Sequence, residues 1–388
     1  MNIYLDNAST NEYRDVDDIV VSTMIYAMKE YWQNPSSLYS DGRIVREEID
    51  RCRANIAEFI NAKPDEIIFT SGSSESNNMA IRGWDDEIWL NTYKSANIIT
   101  THIEHKSILK LLEDGNIGSE VHFCEVDEYG RAKIDSLIRL LEKCNKKNEA
   151  VLVSICAANN EIGTVQKIKD IADIVHTYNG VLHIDATQMF GKLPIDVKEL
   201  SVDMMSVSGH KISPVLKGVG FLYKKNSVNI QPLIYGNQEF GFRGGTENTF
   251  GIIGLSKAIE YCNLIDDKIR EMYNKRDYFI GSLEAKFGCK LNGHPFYRLP
   301  NNINVTFPQN IIGESLLYML DMSGIMVSTG SACNSKAIEP SYVLRAIGLS
   351  DDEAIKTVRF TISEDITYED IDNVINEIEK SVKLIESA

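Results

Sequence analysis

Short apolar segments alternate with longer amphipathic segments along the first two thirds of the chain. The apolar segments are rich in β-branched residues, which is typical of strands that are covered on both faces of a sheet. Seven of them are predicted strands: 67–69, 97–99, 121–123, 151–153, 181–184, 204–207 and 219–222. Strands that alternate with helices indicate an α/β fold, with a large, mainly parallel seven-stranded sheet between helices.

The pattern changes after about residue 255, where helical stretches become longer and strands fewer. In the clearest helix, Thr367 serves as the N-cap and acidic residues occupy the first turn. One apolar stripe follows along this helix, formed by Ile371, Val374, Ile375, Ile378 and Val382. We therefore predict a large α/β domain over residues 14–258. A smaller α+β domain covers 259–388, with 1–13 packed on it.

Composition excludes several classes of function. A chain of 388 residues can bury a large core, and its net charge of −16 argues against nucleic acid as a direct ligand. No stretch is apolar enough to span a membrane, and the N-terminus does not resemble a signal peptide, so we expect a cytoplasmic protein. The seven cysteines show no zinc-like spacing, and no metal site is predicted.

A lysine follows directly after one of the predicted strands. Lys211 ends the tetrapeptide 208–211, at the sheet edge where open α/β folds bind ligands. A desolvated lysine has a lowered pKa and can form a Schiff base with an aldehyde cofactor. Taken alone, the pattern favours an ordinary surface lysine, but the residues at other strand ends reverse that interpretation.

Small hydroxyl residues follow the first strand of the sheet. Ser73 and Ser74 lie in the segment 70–75, where a helix begins. A helix N-terminus offers free N–H groups and the positive end of the dipole, which suits a phosphate, although a simple helix cap has the same composition.

A carboxylate ends another predicted strand. Asp185 follows 181–184, and Gln188 comes three residues later. An aspartate here is often only an N-cap, but a buried carboxylate needs a positive partner, such as a protonated pyridine nitrogen. Together, the predicted phosphate site, Asp185 and Lys211 indicate that the chain binds pyridoxal 5′-phosphate at three points.

Two further residues have side chains suited to catalysis. His105 lies just past a strand, where its imidazole could stack on a flat ring or relay protons, although a lone histidine is more often structural. Cys333 lies in 327–336 among small polar residues, which predict an exposed loop and a reactive thiol. An exposed but unreactive thiol is the alternative.

These residues belong to a series of short motifs that resembles the pyridoxal-phosphate-dependent cysteine desulfurases of the NifS/IscS kind, within the class V aminotransferases. The motifs are 4–8, 34–37, 69–72, 104–106, 159–163, 183–188, 208–211, 243–246, 330–333, 339–345 and 358–360. Their order and spacing extend almost from end to end, and the resemblance implies the fold type I architecture of pyridoxal-phosphate-dependent transferases.

The resemblance implies how the chain holds the cofactor ring. Lys211 forms the Schiff base, and Asp185 pairs with the pyridine nitrogen. Gln188 and Asn160 lie on the side of the phenolic oxygen, while His105 stacks on the ring face.

It also implies the phosphate site. Ser74, Ser208 and His210 bind the phosphate within one subunit, and Thr246 does so from the other subunit of a homodimer.

For the substrate, L-cysteine, the resemblance implies that Arg359 and Asn34 bind the carboxylate. Cys333 accepts the sulfur as a persulfide, with L-alanine as product, and a sulfur-acceptor scaffold protein receives it for iron–sulfur cluster assembly or other thiolation. The long segment after Cys333 is similar to that of members that deliver sulfur to such a scaffold.

The chain departs from the family pattern at several positions. The family usually continues after the lysine with a Gly-Pro-Lys-Gly turn, whereas here the segment 212–218 is one residue longer and lacks the first glycine of that turn. Tyr39 stands where a histidine is common. Ser73-Ser74 and Ser363-Glu364 also differ from the usual pairs. Alternatives are therefore another class V enzyme, such as an aminotransferase or a Cys/selenocysteine lyase, or an inactive adaptor with the same fold.

Overall fold

The computed structural model describes residues 2–92, 96–115, 117–146, 149–262, 266–308, 311–329 and 339–387. Cys333 and the rest of the motif 330–333 lie outside these residues.

Twelve strands are found in the described parts of the chain. They are β1 Ile3–Tyr4, β2 Ile67–Thr70, β3 Asn97–Thr101, β4 Glu120–Cys124, β5 Val151–Cys156, β6 Val181–Asp185, β7 Met204–Ser208, β8 Gly220–Lys224, β9 Lys290–Leu291, β10 Asn302–Thr306, β11 Ile325–Met326 and β12 Thr357–Thr361.

The same parts of the chain contain twelve α-helices. They are α1 Asp15–Glu30, α2 Ser40–Phe59, α3 Ser73–Thr92, α4 Lys106–Asp114, α5 Ile134–Lys146, α6 Ile168–Thr177, α7 Thr249–Cys262, α8 Asp266–Phe287, α9 Gly313–Met322, α10 Tyr342–Ala346, α11 Asp351–Ile355 and α12 Tyr368–Ser387. Among these described helices, none is both long and apolar enough to cross a bilayer.

All seven predicted strands form one sheet, in the order β2-β8-β7-β6-β5-β3-β4. Only β8 pairs antiparallel with its neighbours, and the other neighbouring pairs are parallel. Because β5, β6 and β7 are buried along their whole length or nearly so, their apolar runs fit a sheet covered on both faces. The predicted α/β fold with a mainly parallel sheet is confirmed.

The C-terminal part has its own core around a three-stranded antiparallel sheet, β12-β10-β9. Thr367 caps α12 as predicted, because its hydroxyl accepts from Asp370 N at 3.0 Å and Asp370 Oδ2 accepts from Thr367 N at 3.0 Å. The predicted apolar stripe of this helix is buried in that core.

The N-terminal segment joins the C-terminal core. Strand β1 pairs parallel with β11, and Ile3 and Leu5 belong to the same hydrophobic cluster as the α12 stripe. A separate, larger cluster packs helices against one face of the seven-stranded sheet. The division into domains 14–258 and 259–388 with 1–13 remains a prediction.

Candidate active site

Five strand ends meet at one edge of the large sheet. The carboxyl ends of β2, β3, β5, β6 and β7 point the same way, since only β8 runs in the opposite direction. The segments that follow them carry most of the predicted site residues. Strand polarity therefore gathers side chains that are far apart in sequence.

Lys211 lies in a short 3₁₀ turn directly after β7. Its Nζ donates to the carbonyl oxygen of Ala8 at 2.7 Å and also to that of Ser9. Gln188 Nε2 donates to the same Ala8 oxygen at 2.8 Å, so two of the predicted site residues meet at one acceptor. Burial, and after it the charge of the neighbouring Lys192, lowers the pKa of Lys211 to about 8.

Asp185 is buried at the end of β6 and is bound by neutral donors. Asn77 Nδ2 donates to its Oδ2 at 2.8 Å, and the Thr187 backbone N–H donates to its Oδ1 at 3.0 Å. His183 lies on the same strand, and burial lowers its pKa to about 4, so this imidazole is neutral at pH 7. These neighbours do not neutralise the carboxylate, which leaves it suited to a cationic ligand.

His105 is the N-cap of α4 and faces an open crevice. Its Nδ1 accepts from the Ser107 backbone N–H at 3.1 Å, so the neutral ring carries its proton on Nε2. Desolvation by the surrounding protein lowers its pKa, while the charge of Asp185 raises it. The crevice has a volume of about 1110 Å³ and is also lined by Asn160 and by Ser341.

Of the predicted phosphate residues, Ser73 and Ser74 begin α3, Ser208 ends β7, and His210 lies in the turn that follows β7. Gly72 has φ +147°, and a Cβ added there would lie 3.2 Å from Ser208 Oγ, so the end of β7 lies against the start of the helix. Burial lowers the pKa of His210 to about 4, which leaves a neutral ring with hydrogen-bonding nitrogens. With the hydroxyl of Ser74 and the free N–H groups of the first turn, the arrangement has the donors that a phosphate needs.

Arg359 lies on β12 and is buried beside Asn160. Its Nη1 donates to the Asn160 carbonyl oxygen at 3.1 Å, and its Nη2 donates to Asp6 Oδ1 at 2.6 Å. The buried Nε has no hydrogen-bond partner in the described chain. Three N–H groups of the guanidinium thus remain available for a substrate carboxylate.

For two predicted site residues, Asn34 and Thr246, no contact within the described chain links the side chain to Lys211 or Asp185. Asn34 is exposed, and its side-chain oxygen accepts from the Ser36 backbone N–H at 2.8 Å. Thr246 is exposed between β8 and α7. Their roles remain predictions, as does that of Cys333, which lies outside the described residues.

Sequence reasoning missed two partners of the site. Asn77 donates a hydrogen bond to Asp185. The sequence pattern that indicates this role is the spacing of four residues between Ser73 and Asn77, which puts these two side chains on the same face of α3. The carbonyl of Ala8 receives both Lys211 and Gln188. Because the acceptor is a backbone carbonyl, the residue type at position 8 does not indicate this role, although Ala8 belongs to the motif 4–8.

The residues present fit pyridoxal phosphate. Asp185 offers a buried carboxylate that has no cationic hydrogen-bond partner among the residues described, and Lys211 offers an amine with a lowered pKa. Ser208 and the start of α3 are close enough to bind the same phosphate. A Cβ atom added at Gly72, directly before α3, would already contact the Ser208 hydroxyl. The donor set therefore matches the three chemical parts of this cofactor.

The sequence matches the family described as "Aminotransferase class-V" over residues 3–374. It is 42% identical over 387 residues to a protein of Dictyoglomus turgidum named "Cysteine desulfurase IscS", covering 98% of this chain and 94% of that relative.

Solved structures show the same likeness. One titled "NIFS-LIKE PROTEIN" has a TM-score of 0.89 and 32% identity, and the match covers 99% of this chain and 100% of that one. Another, titled "SspA in complex with cysteine", has a TM-score of 0.78 and 31% identity, with coverage of 93% and 99%.

Proposed function

The chain belongs to the cysteine desulfurases of the class V aminotransferase family, and from that premise we propose how its residues carry the reaction. L-cysteine is converted to L-alanine, and its sulfur passes to Cys333 as a persulfide. This proposal rests on the surroundings of Lys211. Lys211 and Gln188 donate to the same carbonyl oxygen, that of Ala8, and the buried Asp185 is close enough for its charge to act on the pKa of Lys211.

Pyridoxal phosphate, when bound, supplies an electron sink for the substrate. Asp185 would hold its pyridine nitrogen, Gln188 and Asn160 its phenolic oxygen side, and His105 its ring face. The ionised Asp185 favours the protonated ring nitrogen because opposite charges stabilise each other in a buried site.

Its phosphate would be bound by Ser73, Ser74, Ser208 and His210. Thr246 completes the phosphate site from a second subunit.

Lys211 is the general base. Its lowered pKa leaves a substantial fraction of neutral amine near physiological pH, so it can take the proton from Cα of the substrate. Arg359, together with Asn34, holds the substrate carboxylate and fixes the position of Cα relative to Lys211. Because Asp6 already fixes one edge of the guanidinium, the substrate meets a group that is oriented in advance.

Cys333 is the sulfur acceptor. Its thiolate attacks the sulfur of L-cysteine, a sulfur–sulfur bond forms, and the bond from Cβ to sulfur breaks. The electron pair of that bond stays with the carbon, Cβ gains a proton, and Cα regains the proton that Lys211 removed, so L-cysteine and the Cys333 thiol together yield L-alanine and a Cys333 persulfide. A sulfur-acceptor scaffold protein takes the sulfur for iron–sulfur cluster assembly or another thiolation pathway.

We also propose a homodimer that works in the cytoplasm. Large apolar side chains are exposed on the segment that joins α1 to α2, including Trp32 and Leu38, and on the segment before α7, including Phe240. Glu239, in the second segment, accepts from Arg53 Nη1 of α2 at 2.7 Å, so the second segment is held against the helix that follows the first. Apolar surface of this extent is typical of a subunit interface.

The test mixes the purified holoenzyme with L-cysteine and a reducing thiol and measures sulfide and alanine together. Equal amounts of both products are expected. In Cys333→Ala, sulfur release stops while the visible colour of the bound cofactor remains. Cys144→Ala, a buried cysteine on α5, is the matched control and retains activity.

Other outcomes decide between the alternatives. Persulfide formation in Cys333→Ala shows that the nucleophile is misassigned. A keto acid formed from L-cysteine without sulfur release indicates an aminotransferase. A colourless protein with no spectral change on adding L-cysteine indicates an inactive adaptor.

A further inference from the structure

A second cavity lies among the N-terminal segment, α1, α7 and α8. Its volume of about 380 Å³ falls within the range of small-molecule sites. Most of its wall is apolar, formed by Val20, Phe190, Ile212, Ala258, Ile269 and Met272. Lys211 also lines it, so the cavity adjoins the candidate active site.

Three polar side chains in the wall have unused hydrogen-bonding capacity. The amine of Lys192 is buried, and its one hydrogen bond within the described chain is a long one, 3.5 Å to the carbonyl oxygen of Lys211. Asn301 is 3% exposed, and its Oδ1 has no partner among the described residues. The Nε of Arg14 is also buried and makes no hydrogen bond there, although it lies 3.5 Å from Asp17 Oδ2 in an ion pair. Such groups are costly unless a ligand or water satisfies them.

Two of the three acidic residues of the wall are engaged by other partners, and the third, Asp15, is exposed. Glu364 pairs with Arg14 and with Lys268, each at 3.3 Å. Asp17 accepts from the Arg14 backbone N–H at 2.8 Å and from a serine hydroxyl. Besides burial, the groups that act most on the pKa of Lys192 are the Cys262 thiol and the Arg14 guanidinium, and neither is a carboxylate.

Within the described part of the chain, Lys192 is therefore a buried cation with no carboxylate bonded to it. Burial lowers the pKa of its amine to about 8, so most of it is still protonated at pH 7. A monovalent anion with two oxygens could accept from the unused N–H groups of Lys192 and from Arg14 Nε. A divalent phosphate would require more donors than these side chains offer.

We propose that this cavity binds a small carboxylic acid with an apolar body. The carboxylate accepts from Lys192 and Arg14, the body packs against the aliphatic and aromatic wall, and a hydroxyl or amide N–H of the ligand donates to Asn301. L-cysteine does not fit this description, because its charged ammonium would face an apolar wall. The proposal does not depend on the assigned reaction.

The test uses the dimeric holoenzyme without L-cysteine and two probes, 4-phenylbutyrate and its neutral analogue 4-phenylbutan-1-ol. Binding is measured by isothermal titration calorimetry. The acid is expected to bind at least tenfold more tightly than the alcohol. In Lys192→Met, the affinity for the acid falls at least tenfold and that for the alcohol is unchanged. Lys198→Met, an exposed lysine after α6, is the matched control and leaves both affinities unchanged.

A second variant tests the cavity from another element. Ala258→Leu on α7 reduces the space and weakens both probes, so the proposal stays testable if Lys192→Met does not fold. It is overturned if neither probe binds, if Lys192→Met binds the acid as tightly as the unmodified protein, or if Ala258→Leu changes neither affinity. An acid whose binding is lost in Arg359→Lys but kept in Lys192→Met occupies the substrate site, which also overturns it.

Discussion

At the scale of single residues, Lys211 is the group whose environment most affects its chemistry. Burial and the charge of Lys192 hold its pKa at about 8, well below the ordinary value of 10.5. Only the neutral amine attacks an aldehyde, so its reactivity is present above that pKa and is lost as the pH falls below it.

We predict that the cofactor-free protein forms the visible adduct with pyridoxal phosphate at a rate that rises with pH and levels off above about 8. Stopped-flow absorbance measures this rate. Lys211→Ala should form no such band and should lower kcat by roughly 10²–10⁴-fold, the usual loss of a general base. A midpoint near 10 would contradict the lowered pKa.

Arg359 is the second residue whose geometry leads to a prediction. It is buried, and its planar fork makes two-point contacts that a lysine cannot reproduce. Arg359→Lys should raise KM for L-cysteine by about 10–100-fold, from the loss of a charged hydrogen bond of about 1.5–3 kcal/mol. Steady-state kinetics separate KM from kcat. A fall in kcat with unchanged KM would argue against carboxylate binding.

At the scale of elements, the start of α3 depends on the backbone conformation of Gly72, the residue directly before the helix. Gly72 has φ +147°, and a Cβ there would approach Ser208 Oγ to 3.2 Å. Gly72→Ala should therefore weaken pyridoxal phosphate binding at least tenfold, as measured by fluorescence titration of the cofactor-free protein. Gly281→Ala on α8 is the control, because a Cβ there meets nothing within 4 Å. Unchanged affinity in Gly72→Ala would place the phosphate elsewhere.

At the scale of the whole molecule, the exposed apolar side chains between α1 and α2 are unusual for a monomer. Leu38 is 89% exposed and Trp32 is 74% exposed. We predict that Leu38→Asp gives a monomer in size-exclusion chromatography with light scattering, and that the monomer binds the cofactor more weakly because Thr246 of the second subunit is lost. Met322→Asp, 84% exposed on α9, should remain a dimer. A dimeric Leu38→Asp would move the interface elsewhere.

Several features follow from the sequence alone because they are local. The seven strands of the large sheet coincide with the apolar runs, since a strand covered on both faces needs an uninterrupted apolar segment. The cap of α12 by Thr367 involves residues three apart in the chain. Lys211 and Asp185 were identified as candidates because each directly follows such a strand.

The tertiary structure alone decided which distant groups meet. It reversed β8, brought the Ala8 carbonyl within hydrogen-bond distance of both Lys211 and Gln188, and placed the Asn77 amide against Asp185. It also buried Lys192 without an anionic partner among the described residues. Apolar periodicity determines which segments form strands and helices, but it does not specify strand order or the contacts of a backbone carbonyl. Those depend on how elements separated by many residues pack, because only packing sets the distances between their polar groups.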